Sequence, residues 1–333
     1  MSGNSFGELF KITTFGESHG EALGIIIDGM PAGLEINLES LKRELKRRAP
    51  GQHPVHTARK EEDLPEILSG IFQNKTLGTP ITVIVRNTNQ QSEDYASLKD
   101  TYRPGHADKT TMMKYGFRDH RGGGRASGRE TLARVIGGYF AGLIIPQISF
   151  YAFIEEVAHF KLENLPKDHS VDRGDINIPD EKITKEVISF LSECKSQGES
   201  AGGIVTLSIL NTPPGLGEPV FDKLKADFAK AMLSIPACIG FSVNAAFDLV
   251  KIPGSKISLD AKNFGGMEGG ISNGGEILLK MAFKAPSTIG EKAKAGRHDP
   301  CILPRVVPVV EAMAKIVMAD HFLRQSAYDS FHS

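Results

Sequence analysis

Apolar residues recur along this chain in two rhythms, and the changes of rhythm mark its elements. Residues 8–14 and 22–28 have the alternating, β-branched character of strands, with the turn Gly16–Gly20 between them. The stretch 80–86, PITVIVR, alternates in the same way, and strands are predicted near 148–157, 203–210 and 240–247. Helical spacing begins at Leu38, Leu41 and Leu45. Asn37 is placed to cap a helix that runs to about Arg48 and stops at Ala49-Pro50-Gly51. Ser127-Gly128-Arg129-Glu130 has the form of a capping box, and Leu132, Val135, Ile136, Tyr139, Phe140 and Leu143 follow at helical spacing. Further helices are predicted near 180–195 and 219–233 and from about Arg305 to Leu323, where Pro308 is tolerable only near the start. The glycine-rich region 260–275 reads as loop. Neither an interdomain linker nor a short repeat is evident, so the expectation is one domain over residues 1–333, of α+β or mixed α/β class.

Composition narrows the function classes. The net charge of −1 over 333 residues argues against general nucleic-acid binding. No apolar run approaches the roughly 18 residues a membrane span needs, and no signal-peptide pattern opens the sequence. Cys194, Cys238 and Cys301 are far apart and form no C-x-x-C pair, so a reduced, cytoplasmic protein is expected. The positive charge is nevertheless clustered, at Lys42, Arg43, Lys46, Arg47 and Arg48 and again at Arg118, Arg121, Arg125, Arg129 and Arg134. Local positive charge in a neutral chain suits a small, multiply anionic ligand. For residues 42–47 a solvated helix face is the expectation, because Leu38, Leu41 and Leu45 mark the buried side.

Gly16-Glu17-Ser18-His19-Gly20 matches G-x-S-x-G, the nucleophile elbow of serine hydrolases. That elbow needs a strand, a tight turn and then a helix. Here the turn is followed by Ala22-Leu23-Gly24-Ile25-Ile26-Ile27, which is poor helix and good strand. Ser18 and His19 are therefore read as presented by a turn between strands, either to satisfy backbone groups or to line a site. The rival, a hydrolase acting through Ser18, is separated from this reading by mutation and by a fluorophosphonate label.

The densest signal is RDHRGGGRASGRETLAR, residues 118–134. Three glycines allow close backbone approach to a ligand. A helix start follows, and Arg121, Arg125 and Arg129 surround it, which together make an anion site. No P-loop or dinucleotide fingerprint is met. Arg103-Pro104-Gly105-His106 and Arg297-His298-Asp299-Pro300 add histidines and an acid on constrained turns, groups suited to acid–base work near neutral pH. Zinc held by His19, His106, His298 and Asp299 is a rival reading without motif support, so no metal is expected.

Taken together these stretches resemble the chorismate synthase family. The resemblance rests on TTFGESHGEALGIIIDGMPAGLEI, on RPGHADKTTMMKYGFRDHRGGGRASGRETLARVIGGY and on GRHDPCILPRVVPVVEAM. ILSGIFQNKTLGTPI, PPGLGEPVFDKL and MLSIPACIG support it in the family's order, so it spans nearly the whole chain. It implies a four-layer α+β sandwich, with helices outside two largely antiparallel sheets, and a homotetramer. It implies a lyase of the shikimate pathway and aromatic amino-acid biosynthesis. Such a lyase takes 5-enolpyruvylshikimate 3-phosphate to chorismate and phosphate by a 1,4-elimination with reduced FMN and no net redox change. Whether the chain reduces its own FMN with a nicotinamide nucleotide or relies on a separate flavin reductase stays open.

The resemblance also implies roles. His19, His106 and Asp299 are the catalytic residues, at the departing phosphate, the flavin's anionic end and the flavin N5 respectively. Ser18, Arg48, Ser127, Arg129 and Arg297 bind substrate. Arg125, Ala126, Ser127, Pro236, Ala237, Gly269, Lys284, Ala285, Pro286, Ser287, Thr288 and Arg297 contact the flavin. This chain departs from the family at Pro54, where relatives often carry a basic residue that His53, His56 or Arg59 would replace. It departs also at Ala126, at Pro236 and in the KAPST stretch, residues 284–288. An altered phosphate-binding rim is expected.

Overall fold

The alternating segments pair into two five-stranded sheets in a computed structural model, which describes residues 3–53, 55, 62–87, 102–244, 246–257, 264–294 and 299–331. In the first sheet the order is Ser5–Phe6, Lys11–Phe15, Ala22–Asp28, Ile81–Arg86, Pro65–Ser69. In the second it is Cys238–Val243, Ile277–Phe283, Gly203–Leu210, Ser149–Val157, Phe160–Lys161. Every neighbouring pair is antiparallel. Register sets the faces. Thr14 pairs with Ile25 and Ile25 with Val83, and these three side chains are buried. Thr13, Ile26 and Thr82 form the next row, and Ile26 is exposed. The period of two thus gives the first sheet one core face, whereas Tyr151–Glu155 and Val205–Ile209 of the second are buried on both faces.

The α+β class and the antiparallel sheets agree with expectation, but the layer order is reversed. The helix Thr131–Ile144 packs on the first sheet and the helix Leu303–Asp329 on the second, and the two pack on each other. The four layers therefore run sheet, helix, helix, sheet. The physical reason is in the side chains. Residues from Leu303 to His321 are buried on almost every side, as are those from Thr131 to Ile144, and such helices belong in an interior. They come into close backbone contact at Gly138, where a Cβ would lie 2.4 Å from the Cα of Ala312. The helices Leu38–Arg48 and Leu224–Leu233 flank this pair.

Several element ends differ from the sequence reading, each for a local cause. The first long strand starts at Lys11 rather than residue 8, because the amides of Glu8, Leu9 and Phe10 donate to Asp320 instead of to a ladder. The predicted capping box does not close. Ser127 Oγ accepts from the Arg129 amide and caps a 3-10 turn, Gly128–Glu130, while the Glu130 carboxylate binds Thr14 and Arg134. The helix expected at 219 begins at Leu224, after a turn in which Glu218 N–H donates to Asp222. The strand expected at 240–247 runs Cys238–Val243, and a short helix starts at Ala246. Pro308 lies inside the last helix. The carbonyl of Pro304, which it cannot serve, is met by Asn177 at 3.2 Å. Pro65–Ser69 and Ile277–Phe283 were not anticipated as strands. No helix among the described residues is long and apolar enough to cross a membrane.

Candidate active site

The turn after Lys11–Phe15 closes through a Gly20 N–H bond to Glu17 O at 3.0 Å and presents Ser18 and His19. Ser18 is buried, and its hydroxyl lies 3.1 Å from His19 Nδ1. The imidazole rests against Gly122, where a Cβ would come within 2.2 Å of Nδ1. The glycine-rich segment thus reaches the histidine turn by backbone contact that no larger residue allows.

Asn87, one residue past Ile81–Arg86, ties this turn to the arginines. Its Nδ2 donates to Gly20 O at 2.7 Å and Glu17 O at 3.2 Å, and its Oδ1 accepts from Arg129 Nε at 2.6 Å. Arg129 also donates to Asp63 Oδ1 at 2.9 Å. The other oxygen of Asp63 is bonded by Arg48. Arg48 and Asp63 are both buried, so one carboxylate fixes the spacing of two guanidinium groups away from bulk water. Asp63 takes a left-handed backbone conformation, φ 45°, to do this. From Arg48 the run continues. Arg305 Nε donates to Arg48 O at 3.1 Å, and Arg305 Nη1 bonds the carboxylate of Asp299. His19, Arg129, Arg48 and Asp299 are thereby linked through Asn87, Asp63 and Arg305.

A second group forms around His106. Its Nδ1 lies 3.0 Å from Pro104 O, and a carbonyl only accepts, so Nδ1 carries the proton. Neighbouring Gly105 meets Ser287: the hydroxyl donates to Gly105 O at 3.3 Å, and a Cβ on Gly105 would lie 2.6 Å from Ser287 Oγ. The 284–288 loop is fastened further by Lys284 N–H to Ala237 O at 3.0 Å, by Lys284 Nζ to Ser287 Oγ at 2.6 Å and by Ser200 Oγ to Pro286 O at 2.7 Å. Ala237 is at φ 66°. Arg103 joins the two groups, with a bidentate pair to Asp108 and a longer bond, 3.4 Å, to Gly122 O. The Arg103 hydrogen bonds hold the Asp108 carboxyl below the usual carboxylate range.

The remaining arginines of 118–134 do not converge with Arg129. Arg125 donates to Thr14 O and Gly16 O, both at 3.1 Å, and Arg134 bonds Glu130 and Ser234. Arg121 pairs with Asp119 at the surface. These three, with Arg118, Gly122–Gly124 and Lys230, border a cleft of about 1090 Å³. Arg47, expected on a solvated face, instead reaches Glu311 of the last helix at 2.8 Å. Gly269 is held by Lys223 Nζ at 2.8 Å, with the 217–224 turn. Arg297, His298, Pro54, His56 and Arg59 lie outside the described residues. Among the described residues no group of three or more His, Cys, Asp or Glu side chains is arranged to hold a metal ion.

Sequence reasoning missed Asp63, Asn87, Arg103 and Arg305. Only Arg103 had a signal, standing in the same turn as His106.

An imidazole and a carboxylate linked by arginines, on sheets that enclose paired helices, define a mixed α/β enzyme for small anionic molecules. The model of the chorismate synthase family matches residues 10–323. A chorismate synthase of Christiangramia forsetii is 47% identical, covering 98% of this chain and 99% of its own. That of Synechocystis is 45% identical over 98% of each. A crystal structure of a chorismate synthase superposes with a TM-score of 0.76 at 30% identity, covering 96% of this chain and 93% of that one. The chain belongs to the chorismate synthase family, carbon–oxygen lyases of aromatic amino-acid biosynthesis.

Proposed function

We propose that this chain converts 5-enolpyruvylshikimate 3-phosphate to chorismate and phosphate by 1,4-elimination, with reduced FMN as cofactor and no net redox change. The observation that carries this reading is the run of bonds from the His19 turn through Asn87, Arg129, Asp63, Arg48 and Arg305 to Asp299. The substrate bears two carboxylates and a phosphate, and a phosphate monoester alone carries about −1.5 to −2 at neutral pH. Fixed guanidinium groups beside a histidine suit such a polyanion.

The residues around His106 fit a phosphorylated flavin. Lys284, Ser287 and Thr288 offer an ammonium and two hydroxyls on one loop, and Gly105 meets that loop where a Cβ would collide. Held by these residues, reduced FMN would supply electron density for the allylic system and an acceptor for the ring hydrogen. The chain's own groups do the rest. As an imidazolium, His19 donates Nδ1–H to the Ser18 hydroxyl oxygen and gives its Nε2 proton to the departing phosphate, which leaves a neutral imidazole. Arg48 and Arg129, with Arg297, hold the anionic groups, and Ser18 and Ser127 orient them. His106 donates from Nδ1 to Pro104 O and turns Nε2 to the flavin's anionic edge. Asp299, oriented by Arg305, moves a proton at its carboxylate oxygens as the ring hydrogen departs. The remaining flavin contacts are assigned to Arg125, Ala126, Ser127, Pro236, Ala237, Gly269 and Arg297.

One domain over residues 1–333 is supported by a single buried cluster running from Phe10 to Ala319. The homotetramer is carried over from the family resemblance, and exposed apolar side chains such as Phe117, Phe221 and Val250 are available to an interface. We place the enzyme in the cytoplasm.

An anaerobic assay with 5-enolpyruvylshikimate 3-phosphate and chemically reduced FMN tests the reading. Chorismate and phosphate are expected in equal amounts, and His19→Ala or Asp299→Asn should lower kcat by about 10²-fold or more. Ser18→Ala should keep measurable turnover, and wild type should resist fluorophosphonate. Phosphate release no faster than in the protein-free control defeats the proposal.

A further inference from the structure

Asn87 stands between the two halves of the site, and its chemistry fixes which way it faces. The amide nitrogen meets two carbonyls, Glu17 O and Gly20 O, at either end of the turn that carries Ser18 and His19. The amide oxygen meets Arg129 Nε at 2.6 Å. The flipped amide would set oxygen against two carbonyl oxygens and nitrogen against a guanidinium N–H, so only one orientation is satisfied. The Asn87 backbone N–H adds a bond to Glu21 O at 2.9 Å, extending the sheet ladder one residue beyond Arg86. The side chain is therefore anchored from a rigid sheet. Aspartate has the length and lacks the donors. Glutamine has the groups and is a methylene too long.

We propose that Asn87 is a positioning residue that sets the distance between the histidine turn and the substrate-anchoring Arg129. The inference rests on the roles given above to His19 and Arg129. In the elimination, the group that protonates the leaving phosphate and the group that holds the substrate's anions must act on one molecule at once. Asn87 is the one described side chain bonded to both the His19 turn and Arg129. Its loss frees the turn to shift relative to the bound substrate, and misplacement by about 1 Å costs up to about 10²-fold in rate. It also frees the Arg129 guanidinium to rotate away from the anion it grips.

The test is a mutant cycle read in kcat and KM separately. Asn87→Ala should lower kcat about tenfold or more and raise KM about fivefold, with circular dichroism unchanged. In a His19→Ala background the same substitution should lower kcat less than twofold further, while still raising KM. A turn that matters only for folding would lose the same factor in both backgrounds, and that result overturns the proposal. So do wild-type constants for Asn87→Ala. If Asn87→Ala loses its structure, Asn87→Asp carries the cycle. It keeps an acceptor for Arg129 and loses both donors, so kcat should fall and again be non-additive with His19→Ala; a wild-type kcat overturns the inference. Failure of the underlying reading looks different: His19→Ala alone would then leave kcat unchanged.

Discussion

Gly122 has ordinary backbone angles open to it, so its identity is set by what lies over it. A Cβ there would stand 2.2 Å from His19 Nδ1 and 2.6 Å from Cε1, less than any real contact. The backbone of one loop is thus a wall of the histidine's socket. Gly122→Ala should push the imidazole aside and lower kcat at least about tenfold, because a catalytic group displaced by about 1 Å loses most of its effect. Stability should change little, since the side chain that yields is half-exposed rather than core. A kinetic assay with thermal melts checks this, and an alanine variant of wild-type kcat would show that the socket does not position His19. At this scale the turns and the helix start pointed to His19, Arg129 and Asp299, and Arg48 came only through the family resemblance. Asp63, Asn87 and Arg305 were not legible. An aspartate before a strand or an asparagine after one has no pattern that says it will bond residues 66 or 42 positions away.

Two elements are held at their meeting point by a buried charge cluster. Glu311, on Leu303–Asp329, bonds Arg47 of Leu38–Arg48, Arg173 and the Ala152 amide of the second sheet. Burial alone would push its carboxyl up, but Arg47, Arg173 and Lys315 outweigh this and bring it to about 2, against 4.5 for a free glutamate. A carboxyl depressed on folding favours the folded state above its unfolded pKa. That contribution is complete above about pH 5 and is lost as pH falls from there through about 2. Its size at neutral pH is about 3 kcal/mol, from about 1.4 kcal/mol per unit. Glu311→Gln should therefore unfold at lower denaturant than wild type at pH 7, and the gap should close towards pH 2. A gap that stays constant with pH would contradict this account. The helices themselves were legible from their spacing. The strand Ile277–Phe283, ILLKMAF, was missed although its burial alternates strictly, because an apolar run flanked by a glycine-rich stretch reads as either state.

Across the whole molecule, the chain's two ends are brought together at the core. Asp320, near the end of the last helix, accepts the amides of Glu8, Leu9 and Phe10 at 3.1, 2.7 and 2.9 Å through a single oxygen. Its other oxygen takes Arg324 at 2.7 Å. The residues joined are more than 300 positions apart, so this contact closes only once both sheets and the helices between them are assembled. The inside position of those helices follows from their burial on almost every side. The family resemblance suggested the opposite order, and only packing decided it. The latch also bears on the site, since the strand after Phe10 leads through Thr14 to the Ser18–His19 turn. Asp320→Ala leaves three backbone donors without their acceptor and Arg324 without one of its partners. The expected loss is about 3 kcal/mol, within the range for breaking a buried charged contact. Asp320→Asn keeps one acceptor oxygen for the amides and should lose about half as much. Denaturant unfolding followed by both circular dichroism and turnover measures this. Because the latch steadies the strand before the active turn, activity in Asp320→Ala should be lost at lower denaturant than secondary structure, where wild type loses both together. Coincident transitions at the wild-type midpoint would mean that the N-terminal segment is held by its neighbours without Asp320.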